Sequence, residues 1–151
     1  MPIWITKHFD ELTLQELYAV LRLRQQVFIA EQNCVFIDAD NKDQTAHHLL
    51  CINAAGELLA YTRLLPAGVA YENYASIGRV VTNPEARGTG LGRVLMQKSI
   101  EATYQLFGRV AIKIQAQSYL RAFYESLGFV GIGQDYIEDG IPHVDMVLKN
   151  K

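Results

Sequence analysis

The sequence predicts a single-domain α/β (α+β) fold, a mixed central sheet with helices on both faces. Three observations predict it. Short β-branched runs and amphipathic runs succeed one another as strand, helix, loop, three strands, helix, strand, helix, two strands. A glycine-rich stretch, Arg87-Gly88-Thr89-Gly90-Leu91-Gly92, stands between a strand and a helix. The 151 residues are 50% hydrophobic and 20% charged, enough for one core and too apolar for a disordered chain. No repeat, linker or low-complexity stretch divides the chain, so residues 1–151 are read as one domain.

Ile3 to Thr6 is a short strand. Thr13-Leu14-Gln15-Glu16 has the spacing of a capping box, with Leu12 and Leu17 placed for a hydrophobic staple. Leu14, Leu17, Tyr18, Leu21 and Phe28 follow at helical spacing, and Arg22 and Arg24 fall in the C-terminal half, where the helix dipole favours cations. From Glu31 to Thr45 the pattern dissolves into polar and acidic residues, including Asp38, Asp40 and Asp43. Their spacing lacks the glycine and the twelfth-position glutamate of a calcium loop, so a solvated or substrate-facing loop is expected. His47 to Asn53 and Glu57 to Leu65 form a hairpin across Ala54-Ala55-Gly56. Pro66 to Asn73 is a loop, and Tyr74 leads into a strand containing Ile77, Val80, Val81 and Thr82, which Asn83-Pro84 ends. Leu91, Val94, Leu95, Ala102 and Leu106 mark the next helix, stopped by Gly108. Val110 to Ala116 is a strand, and Ser118 is expected to cap a helix reaching Leu127, closed by Gly128-Phe129. Val130 to Ile137 and Val144 to Leu148 make a last hairpin around Glu138-Asp139-Gly140-Ile141-Pro142-His143.

The glycine stretch carries the chemistry. Glycines let the backbone turn tightly and approach a ligand, and N–H groups at a helix start lack intrahelical partners. The macrodipole adds partial positive charge there, which suits phosphate. Arg79, Arg87, Arg93 and Lys98 stand against Glu85 alone up to Lys98. A nucleotide-hydrolase loop would need Lys-Ser or Lys-Thr after the last glycine, where Arg93-Val94 follows; a dinucleotide fingerprint would need glycine at position 93. A pyrophosphate cradle and a plain strand-to-helix turn remain. Arg87, three residues before Gly90 and after a strand, favours the cradle.

A net charge of -2 gives no general pull towards nucleic acid or anionic membrane, so any attraction for anions is local. Cys34 and Cys51 are too few for a disulfide framework and lack metal-ligand spacing, so free thiols and no metal are expected. Met1 to Asp10 lacks a basic stretch before an apolar run, and no apolar segment approaches the ~20 residues that span a bilayer. A cytoplasmic protein with no nucleic-acid or membrane partner is the expectation.

The element order, with Arg-x-x-Gly-x-Gly between the fourth strand and its helix, resembles the GNAT superfamily of N-acetyltransferases. Ala122-Phe123-Tyr124-Glu125-Ser126-Leu127-Gly128-Phe129 is similar to their Tyr-x-x-x-Gly-Phe segment after the fifth strand. Arg24-x-x-Val27-Phe28-x-x-Glu31-Gln32 and Glu138-Asp139-Gly140-Ile141-Pro142-His143 resemble the ElaA-like branch. The resemblance covers nearly the whole chain in element order, and its specific motifs lie between Ile77 and Phe129. One departure is visible: many relatives carry Asn shortly after the fifth strand, where this chain has Gln115-Ala116-Gln117.

The resemblance implies acetyl-CoA as cosubstrate and direct attack by a primary amine, either a small molecule or an exposed amino group. The enzyme would be an acyltransferase for groups other than aminoacyl. Arg87, Gly88, Thr89, Gly90, Leu91 and Gly92 would hold the pyrophosphate. The edge of Val80, Val81 and Thr82 would bond the pantetheine amides and offer an N–H to the thioester oxygen. Tyr124 would stand beside the sulfur. A lysine-like amine, with a pKa of about 10.4, is free in about one molecule in two thousand near pH 7, so a base is needed. Among Glu31, His47, His48, Glu138 and His143, the resemblance favours Glu31 and His143. Two other readings stand beside this one. A non-catalytic acyl-CoA sensor would keep the cradle without the chemistry. Arg24, Phe28 and the Asp38/Asp40/Asp43 loop also resemble acyl-homoserine-lactone synthases; those chains are longer and carry a tryptophan beyond the phenylalanine, whereas Trp4 is the only one here. The sequence names neither the acceptor nor any acyl group besides acetyl, and leaves a homodimer open.

Overall fold

Thr13 Oγ1 accepts from the Glu16 N–H at 3.1 Å and Glu16 accepts from the Thr13 N–H at 2.8 Å. This closes the expected capping box at the start of α1 (Leu14–Arg24). The computed structural model describes residues 2–149. At Arg24 the helix widens into a π turn over Gln25–Glu31, with Gln32 N–H donating to Val27 C=O at 3.1 Å and Cys34 N–H to Ile29 C=O at 3.2 Å. The wider turn takes the residues after Arg24 out of phase with the α-helical stripe.

Strands β1 (Ile3–His8), β2 (His47–Ile52), β3 (Leu58–Leu65) and β4 (Ser76–Thr82) form one antiparallel sheet in that order. Strands β5 (Ile112–Gln117), β6 (Val130–Glu138) and β7 (Ile141–Leu148) form a second, ordered β5-β7-β6. The two meet through a parallel bridge between Ala75 and Ile112, where Ala75 N–H donates to Ala111 C=O at 3.0 Å and Lys113 N–H to Ala75 C=O at 2.9 Å. The mixed character of the expected sheet is confined to that bridge. Beyond it β4 and β5 part, and the gap becomes the principal cleft.

Helices cover both faces. Leu50, Tyr61 and Val81 pack with Val20 and Leu23 of α1, while Leu49, Cys51 and Ala60 pack with Leu95 of α2 (Leu91–Phe107). A larger core joins Ile77, Met96, Ile112, Ile114, Phe129 and Met146. Two expectations change. Ser118 opens a short 3₁₀ turn before α3 (Arg121–Glu125) and caps nothing; its hydroxyl donates to Asp135 at 2.6 Å. The last hairpin is longer than its apolar runs, because the turn is only Asp139-Gly140, with φ of 51° and 76°. Among the described residues, no helix is long and apolar enough to cross a membrane.

Candidate active site

In β4 the pairing with β3 steps from Tyr61–Val81 to Arg63–Gly78, so Arg79 and Val80 together oppose Thr62. This bulge, with Arg79 at φ 50°, bends β4 away from β5. The opening is a cleft of about 520 Å³ whose walls include Val80, Val81, Thr82, Ile114, Tyr124 and His143. Among the described residues no ladder joins β5 to the Val80–Thr82 edge, which leaves its β5-facing backbone groups open to the cleft.

At one end the cleft runs into a hollow of about 370 Å³ over the glycine loop, sharing Thr82, Arg87, Gly92 and Phe123 with it. Gly88 and Gly90 have φ of 81° and 79°, values that favour glycine, and Gly90 is the N-cap of α2. The N–H groups of Gly88, Thr89 and Gly90 have no protein partner among the described residues, and a Cβ at either glycine would meet nothing within 4 Å. Unpartnered donors, a helix start and open space are the features a pyrophosphate requires, so the residues present fit the phosphates of a CoA thioester. Arg93 lies against Phe123, its guanidinium 5.6 Å from the ring centroid, and donates to Ser126 at 2.9 Å. Arg87 is held across the cleft by Glu31, with Nη2–Oε1 2.8 Å and Nη1–Oε2 3.1 Å. Two residues expected in separate roles are thus partners.

Tyr124 lines the cleft, 5% exposed and edge-on to Phe123 and Phe129. Burial pushes its phenol up to about 12, so the hydroxyl stays protonated through the physiological range. His143, also in the cleft wall, lies 2.7 Å from the Ile141 carbonyl through Nδ1 and stacks on Tyr136. A carbonyl can only accept, so Nδ1 carries a proton, and in the neutral tautomer this leaves the lone pair on Nε2. Glu138 accepts from Gln115 at 3.1 Å, and Gln117 donates to Gln32 at 3.4 Å, so the two glutamines that replace the usual Asn already have partners. His48 is wholly buried: burial pulls its pKa down, and it lies 2.6 Å from the Tyr61 hydroxyl and 2.9 Å from the Asp43 carbonyl. It belongs to the core.

The acidic segment is not the solvated loop its composition suggested. Arg24, with no exposed surface, contacts Asp38 at 2.7 Å and Asp43 at 2.8 Å. Arg63 contacts Asp40 at 2.7 Å and Asp43 at 3.0 Å, and Arg79 lies 2.8 Å from Asp38. Burial works to raise the Asp40 and Asp43 carboxyls, and the arginines outweigh it, leaving both below the usual carboxylate range. Arg79 therefore serves this cluster and does not add to the field at the cradle. Cys34 and Phe36 of the same segment line the cleft, in keeping with the other alternative, a loop that faces the site.

A family model described as an acetyltransferase (GNAT) domain matches residues 20–150. Protein ElaA of Escherichia coli is 38% identical over 144 residues, covering 95% of this chain and 94% of its own. Its crystal structure superposes with a TM-score of 0.92, at 36% identity over 99% of this chain and all of that one. The crystal structure of an acyl-CoA N-acyltransferase from Pseudomonas aeruginosa is 42% identical, with a TM-score of 0.92 and coverage of 97% and 99%. The AHL synthase LasI shares the fold alone, with a TM-score of 0.73 at 14% identity and coverage of 98% and 89%.

Proposed function

The chain belongs to the GNAT acetyltransferase family, and from that premise we propose that it moves an acetyl group from acetyl-CoA to a primary amine by direct attack. The observation that carries the reading is the continuity of the β4/β5 cleft with a cradle of unpartnered N–H groups. In this reading Gly88, Thr89 and Gly90 bind pyrophosphate through their N–H groups, with Leu91 and Gly92 beginning the helix behind them. Arg87 and Arg93 supply charge. The Val80–Thr82 edge receives the pantetheine amides and offers an N–H towards the thioester oxygen. His143 takes the proton of the amine at Nε2, its ring fixed by the Ile141 carbonyl. We assign Glu31 to orienting Arg87, since its carboxylate is already engaged there.

Tyr124 serves the leaving sulfur. With the phenol held up at about 12 by burial, full transfer of its proton to the departing sulfur is uphill. The hydroxyl therefore acts as a hydrogen-bond donor that stabilises the sulfur as its charge develops. We take the compartment to be the cytoplasm, which suits two unpaired cysteines.

The test follows thiol release from acetyl-CoA across a panel of primary amines, with wild type and Tyr124→Phe. Release with at least one amine is expected, and the variant should lose about a hundredfold in kcat at nearly unchanged KM and acetyl-CoA affinity. Raising the pH should not restore it, because more free amine does nothing for the thiolate. Tight acetyl-CoA binding with no release for any amine would favour a non-catalytic sensor. Near-normal kcat in the variant would remove Tyr124 from the chemistry.

A further inference from the structure

Arg79 has a backbone that glycine would hold more easily, φ 50° within β4, although Gly78 beside it has no such need. A strained arginine persists where its side chain is required. Its guanidinium leaves the strand and lands on the segment 33–41, which is bounded by Asn33 and Asn41, both at positive φ. Nη2 donates to the Asp38 carbonyl at 2.8 Å, Nε lies 2.8 Å from Asp38 Oδ1, and the guanidinium sits 5.7 Å from the Phe36 ring centroid. The far side of the same segment reaches the turn between β6 and β7, where Cys34 Sγ donates to the Asp139 carbonyl at 3.1 Å. The segment is therefore a strap from the β4 bulge to the hairpin that presents His143.

We propose that Arg79 is a positioning residue that couples the two ends of the cleft: it ties the bulge before Val80–Thr82 to the strap closing the acceptor side. Its importance for turnover rests on the acetyltransfer reading; the tie itself does not, and it is tested without turnover. Cys34 is 8% exposed and Cys51 is wholly buried in β2, so a small thiol reagent reports on strap and core separately. Arg79→Met should speed labelling of Cys34 at least tenfold and leave Cys51 slow, with Cys34→Ser assigning the signal. Removing one cation also unbalances the buried carboxylates, so Arg79→Met/Asp40→Asn restores the charge count and should label as fast as the single variant. Arg79→Lys keeps the charge without the planar fork and should fall between. Unchanged Cys34 labelling overturns the tie. A joint rise of Cys34 and Cys51 shows general loosening instead, and a return to the wild-type rate in the double variant shows that charge balance alone held the strap. In turnover, loss of the tie should lower kcat at least tenfold and by more than it lowers acetyl-CoA affinity, since the cradle N–H groups of Gly88, Thr89 and Gly90 lie outside the bulge. A change confined to that affinity also overturns it. Absence of turnover in the wild type would sink the acetyltransfer reading and leave the labelling result standing.

Discussion

Arg24 and Arg87 carry the same charge, and the molecule treats them in opposite ways. Arg24 has no exposed surface and is held by two carboxylates and the Asp38 carbonyl, all within 3.0 Å. Arg87 is 42% exposed and meets one carboxylate, Glu31, across an open cleft. Arg24 itself has an acceptor in the chain for Nε, Nη1 and Nη2; around Arg87 the neighbouring N–H groups of Gly88, Thr89 and Gly90 have none among the described residues. Polar groups satisfied from within hold shape, and polar groups left open wait for a ligand. The contrast predicts that variants of the first region change stability, while variants of the second change binding.

The largest effect should follow Arg24→Met. Removing one partner leaves Asp38 and Asp43 short of positive charge in a buried setting, which costs about 3–5 kcal/mol. For a chain of this size that is roughly 10 °C in Tm, measurable by thermal or denaturant unfolding. The pH dependence should shift with it. Asp40 and Asp43 titrate below the unfolded carboxylate, so their stabilising contribution is present above about pH 4 and lost as pH falls through the folded values. Arg24→Met should flatten that acid limb. A variant as stable as wild type with the same acid limb would mean that the cluster is incidental to the fold.

Next comes Gly90→Val. The position has φ 79° with no atom near an added Cβ, so valine brings both backbone strain and methyls standing in the cradle. Acetyl-CoA affinity should fall at least tenfold, about 1.4 kcal/mol, with Gly90→Ala losing less. Calorimetry showing unchanged affinity in a folded valine variant would mean that the loop does not hold the phosphates.

The two regions also differed in how far they could be read from the residues. The cradle lies within six consecutive positions, and the capping box at Thr13 and Glu16 within four, so local spacing was enough. Tyr124 needed the family resemblance, because a tyrosine on a helix otherwise reads as core. The ion cluster was illegible for a physical reason: Asp38, Asp40 and Asp43 look solvated until the fold brings Arg24 from the end of α1, Arg63 from β3 and Arg79 from β4 to them. A signal was present in Arg63, a charged residue inside the apolar run Leu58–Leu65, which can be buried there only with a partner. Likewise the last hairpin was legible, though its connection was read across Glu138 to His143 and not as the two-residue turn Asp139-Gly140, and the Ile141 carbonyl that meets His143 Nδ1 depends on the folded hairpin.

The smallest expected effect gives the sharpest test of the contrast, because it concerns the ion pair that ties Arg87 at the cradle to Glu31 across the cleft. Glu31→Gln keeps the shape of the side chain and removes its charge, releasing Arg87. The pair is half-exposed, so its worth is below about 1 kcal/mol. If Glu31 only holds Arg87 ready, the variant should bind acetyl-CoA slightly more tightly, up to about fivefold, because Arg87 no longer leaves a carboxylate to meet phosphate. The gain should vanish on an Arg87→Ala background, since the cycle then has no pair to break. It should also shrink at high salt, which screens the ion pair and the phosphate contact together. If Glu31 instead takes the proton from the amine, affinity should stay put and kcat should fall a hundredfold or more, with His143→Gln mild by comparison. Calorimetry in low and high salt, paired with turnover of the same variants, separates the two. A large loss of kcat in Glu31→Gln at unchanged affinity would move the proton from His143 to Glu31 and leave Arg87 as the partner that holds the base in place.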